Sequence, residues 1–97
     1  MYRTIKEIKQ ANKEAGQHWF DADTMRFFNS RILSPVIGGR YFVSSEKYDD
    51  GSPRLYTIRI ANDDGTIDTV GDFQGYETAD KAKRAAWRKS QQAAYAS

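Results

Sequence analysis

Cysteine is absent from this chain, and that omission removes disulfide frameworks, thiolate metal sites and a cysteine nucleophile together. Histidine occurs once, at His18, and proline only twice. No apolar run approaches the ~20 residues that a membrane-spanning helix needs. Charges at Arg3, Lys6 and Glu7 interrupt any apolar leader from the start. The expectation is a soluble, cytoplasmic protein with no cofactor and no membrane partner, and lack of cysteine fits a reducing cytosol.

What is present suffices for one domain with one core. The chain has 97 residues, and its two Trp, six Tyr and five Phe supply core volume without a metal or a cross-link. Net charge is only +2, but it is unevenly placed. From Glu46 to Asp72 seven acidic residues face three basic ones, a balance of −4; from Tyr76 to Ser97 five basic face two acidic, a balance of +3.

Periodicity predicts the order α-α-β-β-β-α, an α+β domain whose three-stranded antiparallel meander packs on the last helix. Thr4 and Glu7 fit a capping box for a helix over 4–15, with Ile5, Ile8, Ala11 or Asn12, and Ala15 on a thin apolar face and Gly16 as the left-handed stop. So thin a face places this helix at the surface. Asp21 is the expected cap of a second helix over 22–32, with Met25, Phe28 and Ile32 along one side, Phe27 widening the stripe, and Trp19 and Phe20 packing back onto it. Ser34-Pro35 and Gly38-Gly39 make a breaker-rich connection.

The meander over 40–73 comprises Arg40 to Ser45, Leu55 to Ile60 and Thr66 to Phe73. In the second strand Tyr56, Ile58 and Ile60 alternate with Leu55, Thr57 and Arg59, which reads as one buried and one partly wet face. Asp49 to Pro53 and Asn62 to Gly65 are turns, since Asn, Asp and Gly tolerate positive φ. Thr78 opens a helix over 79–94, where Ala82, Ala85, Ala86 and Ala93 form a small-residue face for close approach to the sheet and Trp87 covers one flank. The last residues from Gln91 are expected to fray.

No catalytic constellation emerges. His18 has only Asp21 and Asp23 nearby, and both serve a helix start, so a structural or exposed histidine is expected. The segment from Asn62 to Asp68 offers oxygen ligands but lacks the spacing and terminal Glu of a calcium loop, so no metal site is expected. Gly38-Gly39 fits no phosphate-cradling pattern. Two charged regions remain. The turns present Asp49, Asp50, Asp63 and Asp64 as a partner-binding surface, the acidic excess lying on two loop regions taken as adjacent. The last helix presents Lys81, Lys83, Arg84 and Arg88, with Lys81, Arg84 and Arg88 on one face, as a nucleic-acid surface.

Two resemblances bear on these. Helix, meander, basic helix is similar in order to double-stranded RNA-binding domains, and Asp80 to Ala86 resembles the Lys-rich start of that family's last helix. The first hairpin loop, which enters a minor groove in that family, reads Tyr48-Asp49-Asp50-Gly51 here and would repel phosphates. Separately, Thr24 to Arg31, Arg40-Tyr41-Phe42-Val43-Ser44-Ser45-Glu46, Tyr56 to Arg59 and Ile67 to Phe73 together resemble a small uncharacterised family carried by bacteriophages and bacterial mobile elements, over roughly Ile5 to Ala86. That resemblance implies an accessory protein, not an enzyme, of the kind that binds and blocks a host machine, as anti-CRISPR and restriction inhibitors do. The partner it implies is a host protein or ribonucleoprotein complex, by blockade through the acidic turns. The alternative is a nucleic-acid-binding module using the basic helix.

Overall fold

Thr4 begins the first helix by accepting, through its hydroxyl oxygen, a hydrogen bond from the Glu7 amide at 3.1 Å, while the Glu7 carboxylate accepts from the Arg3 amide at 2.8 Å. This reciprocal capping satisfies amides that the helix itself leaves free. The structure is a computed structural model that describes residues 1–96, with side chains described through residue 92. Helix α1 spans Ile5–Glu14 and ends as expected, with Gly16 in the left-handed region at φ 75°. Helix α2 is short, Ala22–Phe27. Strands β1 (Arg31–Ile32), β2 (Tyr41–Lys47), β3 (Arg54–Ala61) and β4 (Ile67–Val70) follow, and helix α3 (Ala79–Ala96) closes the chain. Among the described residues no helix is long and apolar enough to cross a membrane.

The architecture is α+β with an antiparallel sheet in the order β1-β2-β3-β4, so the expected meander holds and gains a fourth strand. The second helix does not reach Ile32. Asn29 sits at φ 49°, a left-handed conformation that ends a helix. Arg31 and Ile32 then pair with Ser45 and Ser44, and β-branched Ile32 suits that role better than a helical one. At the far end β4 stops at Val70, where Gly71 turns the chain at φ 76° instead of letting the strand run on to Phe73.

The two faces of the sheet carry different chemistry. Tyr41, Val43, Tyr56, Ile58, Ile60 and Val70 point toward α3, where Ala82, Ala85 and Ala86 are buried against them. Alanine lets helix and sheet backbones approach closely, so the expected packing of period-2 and period-3.6 faces is observed; Ala93 lies outside the described side chains. Trp87 does not cover this seam and is largely exposed. Gly38 and Gly39, both at positive φ, form the tight turn that brings Ile37 opposite Tyr41, and a Cβ on Gly38 would overlap the Ser90 side chain of α3.

On the opposite face α1 lays Ile8 beside Phe42 and Ala61, with Trp19, Phe20 and Ile67 around them. The thin-faced helix is therefore part of the core on this side. Asn12 is buried there; its side-chain amide donates to the Gly65 carbonyl at 2.8 Å and its carbonyl oxygen accepts from the Trp19 amide at 3.2 Å. One asparagine thus ties α1 to the β3–β4 turn and to the aromatic segment that follows the helix.

Ile58 has no solvent exposure. Ile58→Ala should therefore cost about 2–5 kcal/mol of stability, the range for emptying a buried aliphatic site, as read from the urea unfolding midpoint. A loss under ~0.5 kcal/mol would be the behaviour of a surface position.

Candidate binding surfaces

Ser44, Glu46, Thr57 and Arg59 share the sheet face away from α3, and all four are buried. The expectation of a partly wet face fails for Thr57 and Arg59, because Trp19 and Phe73 close over Arg59 and Gln74 bonds to Thr57. Arg59 stands opposite Phe42 and Glu46 opposite Leu55, so guanidinium and carboxylate meet over the intervening Ser44–Thr57 row. Their closest approach is 3.3 Å. Glu46 also accepts from the Thr57 hydroxyl at 2.6 Å, while Arg59 donates to the hydroxyls of Ser44, at 3.0 Å, and Thr69. The guanidinium carbon lies 5.2 Å from the Trp19 ring centroid and 5.5 Å from that of Phe73, so two aromatic faces sandwich the cation. No buried side-chain polar atom among the described residues lacks a partner.

Phe73 is carried by the segment 71–76, which leaves β4, crosses this network and returns to the sheet. Gln74 holds it in place: its amide donates to Thr57 Oγ1 and its side-chain nitrogen to the Glu46 carbonyl, each at 2.9 Å. Gln74 adopts φ 57° to do so, a conformation that non-glycine residues enter at a cost and keep only where the surroundings fix it. Tyr76 then exchanges two backbone hydrogen bonds with Tyr56.

The outer side of Phe73 belongs to an aromatic patch. Phe28 is its centre, with ring centroids 4.6 Å from Phe27, 5.4 Å from Phe73 and 5.8 Å from Tyr48. Phe27 is 78% exposed, Tyr48 67% and Phe73 41%. Helix α2 has only six residues and buries none of them, so nothing beneath draws Phe27 inward. Asp23, Thr24, Phe27 and Phe28 enclose a shallow concavity of about 430 Å³ beside the patch. Four clustered rings on the surface of so small a domain are the kind of feature that marks an interaction site.

The four candidate aspartates do not form one surface. Asp49 and Asp50 lie in the β2–β3 turn and Asp63 and Asp64 in the β3–β4 turn. A meander puts consecutive turns at opposite ends of their shared strand. β3 has eight residues, about 26 Å at the usual rise. Three of the four side chains are also engaged locally. Asp49 Oδ1 accepts from the Gly51 amide and the Ser52 hydroxyl; Asp63 pairs with Arg40 at 3.1 Å. Asp64 Oδ1 accepts from the hydroxyl and amide of Thr66, which hold its carboxyl below the usual carboxylate range. Asp49 and Asp50 do adjoin Tyr48, and so edge the aromatic patch.

Of the basic candidates, Lys81, Arg84 and Arg88 line one groove of about 280 Å³ with Tyr76. Lys83 does not join them; it is half-buried elsewhere on α3. His18 is exposed and its Nδ1 lies 2.9 Å from Asp21. Asp21 stands at the expected cap position of α2 but makes no side-chain capping bond there. Among the described residues no three His, Asp or Glu side chains gather as metal ligands would.

Residues 4–87 match the model of DUF7447, a family of unknown function, and the chain belongs to that family. No curated protein and no solved structure matches it.

The buried pair predicts a pattern in stability. Arg59→Met leaves the Glu46 carboxylate buried without its cation and should cost about 3–5 kcal/mol. Replacing both residues, as Arg59→Met with Glu46→Leu, should restore much of that loss, because an apolar pair leaves no orphaned charge. Urea unfolding of the two single variants and the double variant measures the coupling, and additive losses would mean that the two side chains act independently.

Proposed function

We propose that the protein is a non-enzymatic accessory factor of a bacteriophage or mobile element, which docks on a host protein complex in the bacterial cytoplasm and blocks it, as an anti-CRISPR or similar defence inhibitor does. The observation that carries this reading is the exposed cluster of Phe27, Phe28, Tyr48 and Phe73. Aromatic side chains dominate the energetics of protein interfaces, since each buries a large area with little rotamer entropy to lose. Phe28 and Phe73 are already packed on their neighbours, so the patch is largely ordered before a partner arrives, and that lowers the cost of association.

The acidic turns keep a reduced part in this reading. Asp49 and Asp50, next to Tyr48 in sequence, supply negative charge at the patch edge, where rim charges steer encounter more than they hold a complex. Asp63 and Asp64, at the other end of β3, fall outside it. The non-enzymatic part is supported by the disposition of the ionisable groups: His18, Asp49, Asp63 and Asp64 engage their own neighbours.

The test compares variants as bait in nuclease-treated bacterial lysate, followed by inhibition of the captured complex. Phe27→Ser with Tyr48→Ser should abolish capture and inhibition while leaving the melting temperature near that of the wild type, since both side chains are exposed. Asp49→Asn with Asp50→Asn should slow association and leave most of the affinity. Undiminished capture by the aromatic variant would remove the patch from the mechanism, and loss of capture with Asp63→Asn and Asp64→Asn would move the contact to the opposite turn.

A further inference from the structure

We infer that the groove along the flank of α3, between the helix and Tyr76, binds single-stranded nucleic acid, seating one nucleotide with its base on the Tyr76 ring and the adjoining phosphates on Arg84 and Arg88. The spacing i, i+3, i+7 puts Lys81, Arg84 and Arg88 on one side of the helix. The adjoining side is fixed by Ala82, Ala85 and Ala86 packed on the sheet, which leaves the basic row on the flank beside Tyr76. Arg84 and Arg88 are exposed and form no ion pair among the described residues. Lys81 has only Glu77, at 4.0 Å, with both side chains largely exposed, a contact that a phosphate would readily displace.

Tyr76 supplies what a bare cationic stripe lacks. Its backbone is bonded in both directions to Tyr56, and its ring packs on the edge of the core that α3 covers. A ring held in this way is a stacking platform, and a stacked base beside a cationic track is the common basis of single-strand recognition. The groove, at about 280 Å³, is concave and on the scale of one nucleotide. An unstacked base can enter it, whereas a duplex keeps its bases inside and could touch only the rims. This narrows the nucleic-acid reading from duplex to single strand, and it stands apart from the aromatic patch.

The test is fluorescence anisotropy with labelled single-stranded DNA and RNA of roughly ten nucleotides, matched to the site sizes of small single-strand binders, beside the corresponding duplex and heparin. Single strands should bind more tightly than the duplex, with log affinity falling by about 0.7 per log unit of salt for each phosphate contact. The DNA and RNA arms show which backbone is preferred. Arg84→Glu with Arg88→Glu, both exposed, should weaken binding at least about tenfold, as loss and reversal of two phosphate contacts predicts. Tyr76→Leu should weaken single-strand binding about fivefold or more, as loss of one stacked base does, without changing heparin binding, and Tyr76→Phe should retain it. Duplex binding as tight as single-strand binding, indifference to the arginine reversal, or equal effects of Tyr76→Leu on heparin and oligonucleotide would each overturn the inference.

Discussion

Glu46 has no contact with solvent, yet it carries a carboxylate, and the nearest cation is the guanidinium of Arg59, which reaches it from the neighbouring strand across the intervening Ser44–Thr57 row. A charge in that position is tolerable only when its partner and its remaining lone pairs are all provided for. The Thr57 hydroxyl donates to the carboxylate, and the hydroxyls of Ser44 and Thr69 accept from Arg59, so both members of the pair are provided for. The rest of the requirement is a roof that excludes water, and Trp19 and Phe73 form it from opposite directions in sequence. Phe73 can reach its place only because Gly71 turns the chain out of β4 and Gln74 accepts a left-handed backbone. A chain of constraints therefore runs from one buried ion pair to the course of the segment 71–76, and from there to the aromatic patch that Phe73 shares with Phe28.

The sheet divides the molecule by chemistry. Toward α3 the contacts are apolar, and alanine sets the distance between helix and strands. Toward α1 an aromatic and aliphatic cluster around Phe42 gives way, two residues along β2, to hydroxyls and charges. An apolar interface tolerates small adjustments of side-chain packing, but a satisfied polar network fixes register and orientation. The second face is thus suited to presenting a surface feature in one defined geometry, and the proposed docking patch lies at its margin. The groove on α3 belongs to the other half of the molecule and rests on different residues.

Much of this fold is legible in the residues themselves. The alternation of Tyr56, Ile58 and Ile60, the alanine spacing in α3, the Thr4–Glu7 box and the Asn/Asp/Gly turns each follow from a local rule, and each recurs in the structure. Local rules failed where a distant element intervened. Thr57 and Arg59 read as solvated because nothing near them in sequence announces that Gln74 will bond to the one and that Trp19 and Phe73 will cover the other. Four inward polar residues at period 2 on paired strands, Ser44 and Glu46 against Thr57 and Arg59, were the available signal of a buried network. Ile32 satisfied a helical stripe on paper, but left-handed Asn29 and pairing with β2 outweighed it. The acidic turns read as neighbours because they are close in sequence, although a meander separates them by the length of a strand. The aromatic patch was hidden for a similar reason: Phe27 and Phe28, Tyr48 and Phe73 come from three separate segments, the end of α2 and two connections, and only the folded chain brings them together.

The proposed mode of action reduces to where a protein partner touches this surface. Amide hydrogen exchange of the protein, alone and with the protein complex it captures after nuclease treatment, reads that location directly. Docking through the aromatic patch predicts slowed exchange around Phe27 and Phe28, Tyr48 and Phe73, with α3 and the β3–β4 turn unchanged. Protection along Lys81 to Arg88 or at Asp63 and Asp64, with the aromatic segments exchanging as in the free protein, would contradict it.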